Sequence, residues 1–518
     1  MGIAHALIWN DSKKGRLLGA FVAMLVALSI TADPASRTQV SEAAGQMVSV
    51  IVRELPGSGS APEQTVQDLG GTVGLHIGII DGFVADVPQG GLGTLEASPH
   101  IHSVTPNYQV QLQHAVDGFD APNDKGSMFN TNMTIKAHEA WQKGYTGKGI
   151  DVALIDTGIV GVNGLRGSGK VINGPDLSFE TSAESLRYLD TNGHGTHMAG
   201  IIAGRDDAVV SGKEKGDHDN FIGVAPDARV LNLKVANAVG TTDVSQVLAA
   251  INWVVEHRYD NGMNVRVLNL SFGTDGTQNY TVDPLAYAAE VAWRKGIVVV
   301  VAAGNRGYGS AKLNNPAYDP YVIAVGASNT NGTNEVTDDT VPDFSSCGDG
   351  TRNPDLVAPG KSIVSLQSPS SHIDLTHPEG RVGTRFFRGS GTSQSAAVVS
   401  GAAAILLQQR PNLTPDQVKS LLTSTASRMP VADPICQGYG LINMRAAIDA
   451  PTLPAAQLWP PSTGTGSLEL ARGSAHVGDP NGVALTGEVD IFGNTWSGNT
   501  WSGNTWSGNT WSGSNWGE

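Results

Sequence analysis

Between Thr134 and Ala450 short apolar runs alternate with stretches of helical spacing, and this alternation leaves the chain few architectures. The runs are Val152-Ala153-Leu154-Ile155, Val230-Leu231-Asn232-Leu233, Val267-Leu268-Asn269-Leu270, Ile297 to Val301 and Val322-Ile323-Ala324-Val325. A strand with no polar face has to be covered on both sides, as in a parallel sheet whose crossover helices pack on both faces. The intervening segments suit such helices. Val244, Val247, Leu248, Ile251, Val254 and Val255 share one helical face, and Leu285 to Lys295 stops at Gly296. Thr414-Pro415-Asp416-Gln417 has capping-box spacing with proline at the first helical position, opening a helix through Leu422. The expected fold is α/β: a doubly wound, mostly parallel sheet flanked by helices, with functional residues beyond the carboxyl ends of its strands.

The rest of the 518 residues divides around that unit. Lys13, Lys14 and Arg16 precede an uncharged run from Leu17 to Ile30, followed by Thr31-Ala32-Asp33-Pro34. This reads as a secretory signal over residues 1–32, because the run falls short of the ~20 residues that span a bilayer. An uncleaved membrane anchor is the alternative. Residues 46–113 read as a small β-α-β-β-α-β unit: strand Met47–Val52, helix Gln64–Leu69, hairpin His76–Val87, helix Leu92–Ala97 and an extended piece His102–Gln113. A stretch rich in glycine and asparagine, Asp117–Asn132, marks the boundary between this unit and the larger one. Residues 451–466 are rich in Pro, Thr, Ser and Gly and read as a linker. After them an Asn-Thr-Trp-Ser-Gly repeat sets Trp496, Trp501, Trp506, Trp511 and Trp516 five apart. An odd period gives no single apolar face, so the tail reads as low-complexity and mostly disordered. The alternative is a ring array that stacks on glycans or a cell surface. The net charge of −15 argues against a nucleic-acid partner. Cys347 and Cys436 are the only cysteines, which allows one bridge in an oxidising compartment and excludes a disulfide scaffold.

Three segments carry candidate chemistry. Arg388-Gly389-Ser390-Gly391-Thr392-Ser393-Gln394-Ser395 leads into an apolar helical run, Ala396–Leu407. A serine at a helix start is an ordinary N-cap, yet free N–H groups and the positive dipole end also favour an anion forming beside it. On chemistry alone Ser390, Ser393 and Ser395 are equal candidates. Asp156 closes the run Val152–Ile155, where an acid is usually a turn residue. His194 lies in Asn192-Gly193-His194-Gly195-Thr196-His197 at the entry to a small-residue helix. His194 and His197 share a helical face, but no glutamate lies between them and no third ligand is evident, so a metal pair is a weak reading.

Together these segments resemble the subtilisin family of serine peptidases. The order Asp156, His194, Ser393 is that family's order, and Asp-Thr-Gly, Gly-His-Gly-Thr-His and Gly-Thr-Ser are its surrounding motifs. Val301-Ala302-Ala303-Gly304-Asn305 supplies a fourth match, and the resemblance implies that the Asn305 amide is an oxyanion donor. It implies a secreted serine endopeptidase acting on polypeptides through an acyl-enzyme on Ser393. Ser271, Phe272 and Gly273 would pair with the substrate backbone. Ala302, Ala303 and Gly304 would line the pocket for the residue before the scissile bond, with Asn314 at its floor. That pocket is wide by its small residues, whereas the amide favours polar groups. The family commonly carries an inhibitory pro-segment of ferredoxin-like shape, which implies that residues 46–113 are the chain's own inhibitor. Its last piece, Val104–Gln113, would lie in the cleft and be cut by the enzyme itself near Gln113–Asp117.

Two departures stand out. The family usually continues Met-Ala-Ser/Thr-Pro after the serine, where this chain has Gln394-Ser395-Ala396-Ala397. The loop Gly204–Phe221 replaces a short loop on which many relatives hold structural calcium, so no metal site is assigned and no cofactor is expected, with structural calcium as the alternative. Two other readings share the same residues: a peptide ligase or cyclase that passes the acyl group to an amine, and an inactive surface scaffold.

Overall fold

The computed structural model describes residues 46–107, 119–308, 313–478, 483–491 and 493–496. The expected signal segment and the expected maturation region Gln113–Asp117 therefore lie outside the described residues. The chain divides into two compact units between His114 and Ala115.

The smaller unit has the anticipated element order. Strands β1 (Met47–Glu54), β2 (Thr72–Ile77), β3 (Gly82–Pro88) and β4 (Ile101–Pro106) form an antiparallel sheet in the order β2-β3-β1-β4. Helices Ala61–Asp68 and Leu92–Glu96 complete the pattern, and Val50, Val52, Val66, Phe83, Ala85, Val87 and Leu95 make its core.

The larger unit is built on seven parallel strands. These are β5 (Asp151–Asp156), β6 (Val171–Asp176), β7 (Arg229–Lys234), β8 (Val265–Leu270), β9 (Val298–Ala302), β10 (Ile323–Ser328) and β11 (Leu356–Pro359), in the order β11-β10-β9-β8-β5-β7-β6. The five strands anticipated from their apolar runs are the five inner ones, and β5, β9 and β10 are buried at every position. The two edge strands were not anticipated, for a physical reason. Strand β6 contains Gly174 and Pro175, and β11 is four residues long and ends in Pro359. Proline has no N–H to give to a ladder and is accepted only at an edge.

Helices cover both faces, and two of them start from full capping boxes, Asp243 with Gln246 and Thr414 with Gln417. The Thr392–Gln409 helix is buried from Thr392 to Leu407 and packs on β8, β9 and β10. A helix that is apolar all round is stable only in such an interior. Near Cys436 a satellite core forms around the Cys347–Cys436 disulfide, which closes a span of 89 residues and by chain entropy destabilises the unfolded state by about 4.6 kcal/mol. No helix among the described residues is long and apolar enough to cross a membrane.

Two expected boundaries differ from the structure. Part of the presumed separator belongs to the larger unit: the Met128–Thr134 helix buries Met128 and Thr131, and Asp124 pairs with Arg388 at 2.5 Å. The presumed linker 451–466 is packed as well. Gln457 Nε2 donates to Asp416 Oδ1 and Tyr321 O, and the buried Ser462 donates its N–H to Glu290 Oε1 at 2.7 Å. Short polar residues read as flexible from composition, yet each of these finds a partner on the core. Trp496, the first ring of the repeat, is half-buried and donates its indole N–H to Gly466 O at 2.9 Å. The other four rings lie outside the described residues.

Candidate active site

The carboxyl ends of β5, β8 and β9 deliver Asp156, Ser271 and Ala303-Gly304-Asn305 to one end of the sheet. Asp156 is almost fully buried, and both its oxygens face His194 Nδ1, Oδ1 at 2.8 Å and Oδ2 at 3.0 Å. Because a carboxylate only accepts, Nδ1 carries the proton and Nε2 is the basic nitrogen. The imidazole is about a quarter exposed, with 27% of its side-chain surface open. Burial opposes its charge, but the charge and hydrogen bond of Asp156, helped by Asp190, outweigh it and hold the pKa above the ordinary 6.5. His197 goes the other way: burial, then the nearby His194, push its pKa down to about 4, and its Nε2 lies 3.0 Å from Phe387 O. The two histidines thus face different partners, as a metal pair would not.

Ser393 is the second residue of its helix, and the N-cap is Gly391, which has no side chain to cap with. The capping of this helix is done by Asn305 instead. Its Oδ1 accepts from Thr392 N at 2.9 Å and from Thr392 Oγ1 at 3.0 Å. Two donors on one atom fix which end of the amide is oxygen and turn Nδ2 outward. Asn305 is exposed, and none of the described residues accepts from the Ser393 N–H. The site therefore holds two unused donors beside one serine. The Ser393 hydroxyl itself donates to Ser271 O at 2.9 Å, and among the described residues no hydrogen bond joins it to His194.

The anticipated pocket residues also converge. Gly304 has φ +114°, a conformation that suits glycine, and a methyl group placed on it would lie 2.7 Å from Asn314 Cγ. A methyl on Gly273 would lie 2.7 Å from Asn314 Cβ. The Asn314 side chain thus occupies the space that two glycines leave, and its Oδ1 is buried without a hydrogen-bond partner among the described residues. Ala302 and Ala303 are buried behind this pocket, and Phe272 packs partly against the core.

Of possible metal ligands, Asp206 is engaged by Arg385 and the Phe221 N–H. Among the described residues, one group of ligating side chains comes within 4.8 Å, Glu54, Glu63 and His76, in the smaller unit.

Comparison with known proteins gives a consistent answer. Residues 147–444, more than half of the chain, match the model of the subtilase family. Serine protease AprX of Bacillus subtilis is 38% identical over 309 residues, covering 58% of this chain and 67% of that protein. Subtilisin DY of Bacillus licheniformis is 34% identical over 315 residues, 60% of this chain and 96% of its own length. Subtilisin Savinase of Lederbergia lenta is 32% identical over 317 residues, with 60% and 96% covered.

Residues that motif reading passed over hold this geometry. Asp190 is buried, and it accepts from Thr157 Oγ1, Gly193 N and Thr196 N, each at 2.7 Å. It thereby binds the turn after β5 to the first turn of the His194–Ala203 helix. Asn269 and Ser400 do the same for the serine: Ser400 Oγ donates to Asn269 Oδ1 at 2.9 Å, and Asn269 Nδ2 donates to Ser271 Oγ at 2.7 Å. A lone asparagine inside the apolar run Val267–Leu270 was the available signal. Replacing Asp190 with Ala orphans three donors and is expected to cost about 3 kcal/mol. Measured by thermal unfolding in a Ser393→Ala background, Asp190→Ala lowers Tm clearly and Asp190→Asn less. An unchanged Tm would contradict this role.

Proposed function

The chain belongs to the subtilase family and is a subtilisin-like serine endopeptidase, and from that premise we propose how its own residues act. Ser393 is the nucleophile, His194 the general base and then acid, and Asp156 the group that holds the imidazole tautomer. The observation carrying this reading is the pairing of both Asp156 oxygens with His194 Nδ1, which leaves Nε2 basic and facing away from the acid. A turn about χ1 moves the Ser393 proton from Ser271 O to that nitrogen, since catalytic hydrogen bonds often form only when substrate is seated. Attack on a peptide carbonyl gives a tetrahedral oxyanion, which the Asn305 Nδ2 and the Ser393 N–H receive. Loss of such an amide donor costs about 3 kcal/mol of barrier, a figure measured on subtilisin itself. Collapse releases the amine with the proton that His194 carries, and water then clears the acyl-enzyme by the same steps.

Ser271, Phe272 and Gly273 form the edge against which the substrate backbone pairs. The pocket before the scissile bond is shortened by Asn314, whose Oδ1, unpartnered among the described residues, accepts from a donor group on the bound side chain. The chain is exported and made as a zymogen, with residues 46–113 as an inhibitory pro-segment removed by the enzyme itself near Gln113–Asp117. Supporting this are the basic and apolar order at residues 13–30, the βαββαβ order of the smaller unit, and a disulfide, which suits an oxidising compartment.

Peptide-library cleavage by the purified mature form tests the reading. Hydrolysis products with hydrogen-bond donors of modest size before the cut are expected, and Ser393→Ala should neither cleave nor lose its N-terminal segment. Trimming by purified Ser393→Ala would sink self-processing, and transfer products in place of hydrolysis would favour a ligase. The rate should also depend on pH in one direction. Since His194 must be neutral and its pKa lies above 6.5, kcat/KM for the free enzyme rises with pH through a midpoint above 6.5. A midpoint at or below that value would contradict the assigned pairing.

A further inference from the structure

Beyond Gly273 the chain runs through Thr274 into the loop that leads to the Pro284–Arg294 helix, and the C-terminal segment lies along that loop. Thr274 Oγ1 donates to Ala471 O at 2.5 Å. Ser474 donates from N and Oγ to the two oxygens of Asp275 at 2.6 and 2.7 Å. Gln278 and Ser467 exchange two hydrogen bonds, Nε2 to O at 2.8 Å and N to Oε1 at 3.0 Å. The approach is close enough that a methyl group on Gly276 would lie 2.8 Å from Leu470 O.

One residue locks this segment in place. Arg472 is fully buried, and its guanidinium is satisfied on every side: Nε to Asp243 Oδ2 at 2.6 Å, Nη1 to Gly487 O at 2.7 Å and Nη2 to Val489 O at 2.5 Å. Asp243, equally buried, is the N-cap of the Val244–His257 helix. A buried guanidinium paired in this way accepts one geometry and rejects others. Thr274 in turn exchanges backbone hydrogen bonds with Asn315, at 3.0 and 2.9 Å, next to Asn314. The strap, the end of the edge and the pocket floor therefore meet at Thr274.

We propose that residues 462–478, held by Gly487 and Val489, are a positioning strap for peptide binding, with Arg472 as its lock and Thr274 as the contact through which it holds the 271–273 edge and Asn314 in register. An edge that must pair with an incoming backbone binds better when it is ordered beforehand, because the ordering entropy is then already met in the free enzyme. The strap supplies that order from outside the sheet. The proposal rests on the reading of 271–273 as the substrate edge.

The two readings separate in one experiment on the full chain after maturation. For each variant, kcat/KM is measured on a single-residue ester and on a peptide reaching four residues toward its N-terminus from the cut, and the gain from lengthening is compared. In Thr274→Val the gain should fall about tenfold, as expected when a positioning contact shifts by a fraction of an ångström to an ångström. Thr274→Ser, which restores the hydroxyl, should recover it. Arg472→Met should reduce the gain likewise, and if that variant does not fold, the Thr274 pair decides alone. A general loss of stability would lower both substrates together and leave the gain intact, which overturns the strap. If the unmodified enzyme shows no gain from lengthening, the edge reading itself fails, and the strap falls with it.

Discussion

A helix buried on every side has to find partners for its first N–H groups, and the structure depends on how this one does so. The Thr392–Gln409 helix cannot reach water along most of its length, so its start must open at the surface or be capped by a neighbour. Asn305 caps Thr392 through its oxygen and in doing so aims its own N–H groups away from the helix. The next amide, that of Ser393, stays unused. One capping interaction therefore orients the Asn305 N–H groups outward and sets the position of the serine beside them. Strands β5 and β8 bring Asp156 and Ser271 to the same place because parallel strands end together on the same side of the sheet.

The electrostatics derive from burial. Asp156 is withdrawn from water and spends its lone pairs on Thr157 N and His194 Nδ1. A buried carboxylate favours a charged imidazole next to it, while the same burial a turn further along leaves His197 neutral down to about pH 4. Two histidines three residues apart thus acquire opposite tendencies, and only the one that touches the acid is fitted to gain and lose a proton near neutrality. Asp190, through Thr157, Gly193 and Thr196, ties the turn after β5 to the His194 helix.

Much of this was legible in the sequence, and the parts that were not share a cause. Apolar runs gave away the five inner strands because those strands have no polar face to break the pattern. The edge strands β6 and β11 escaped because an edge tolerates Pro175, Gly174 and Pro359, which read as turns. Asp156, His194, Ser393 and Asn305 were recognisable from their neighbours in the chain. Their supports were not: Asp190, Asn269 and Ser400 act through contacts across the fold. The C-terminal region misled for the opposite reason. Its Pro, Ser, Thr and Gly content is that of a linker, yet Arg472, a single charged residue, buries itself and draws the surrounding segment onto the core.

The central claim is that Ser393, alone among the three serines of its stretch, is activated by the Asp156–His194 pair. Labelling with an organofluorophosphate followed by peptide mapping tests it most directly. One label per chain on Ser393, with labelling lost in His194→Ala, is the predicted result. Label on Ser390 or Ser395, or undiminished labelling of Ser393 without the imidazole, would contradict it.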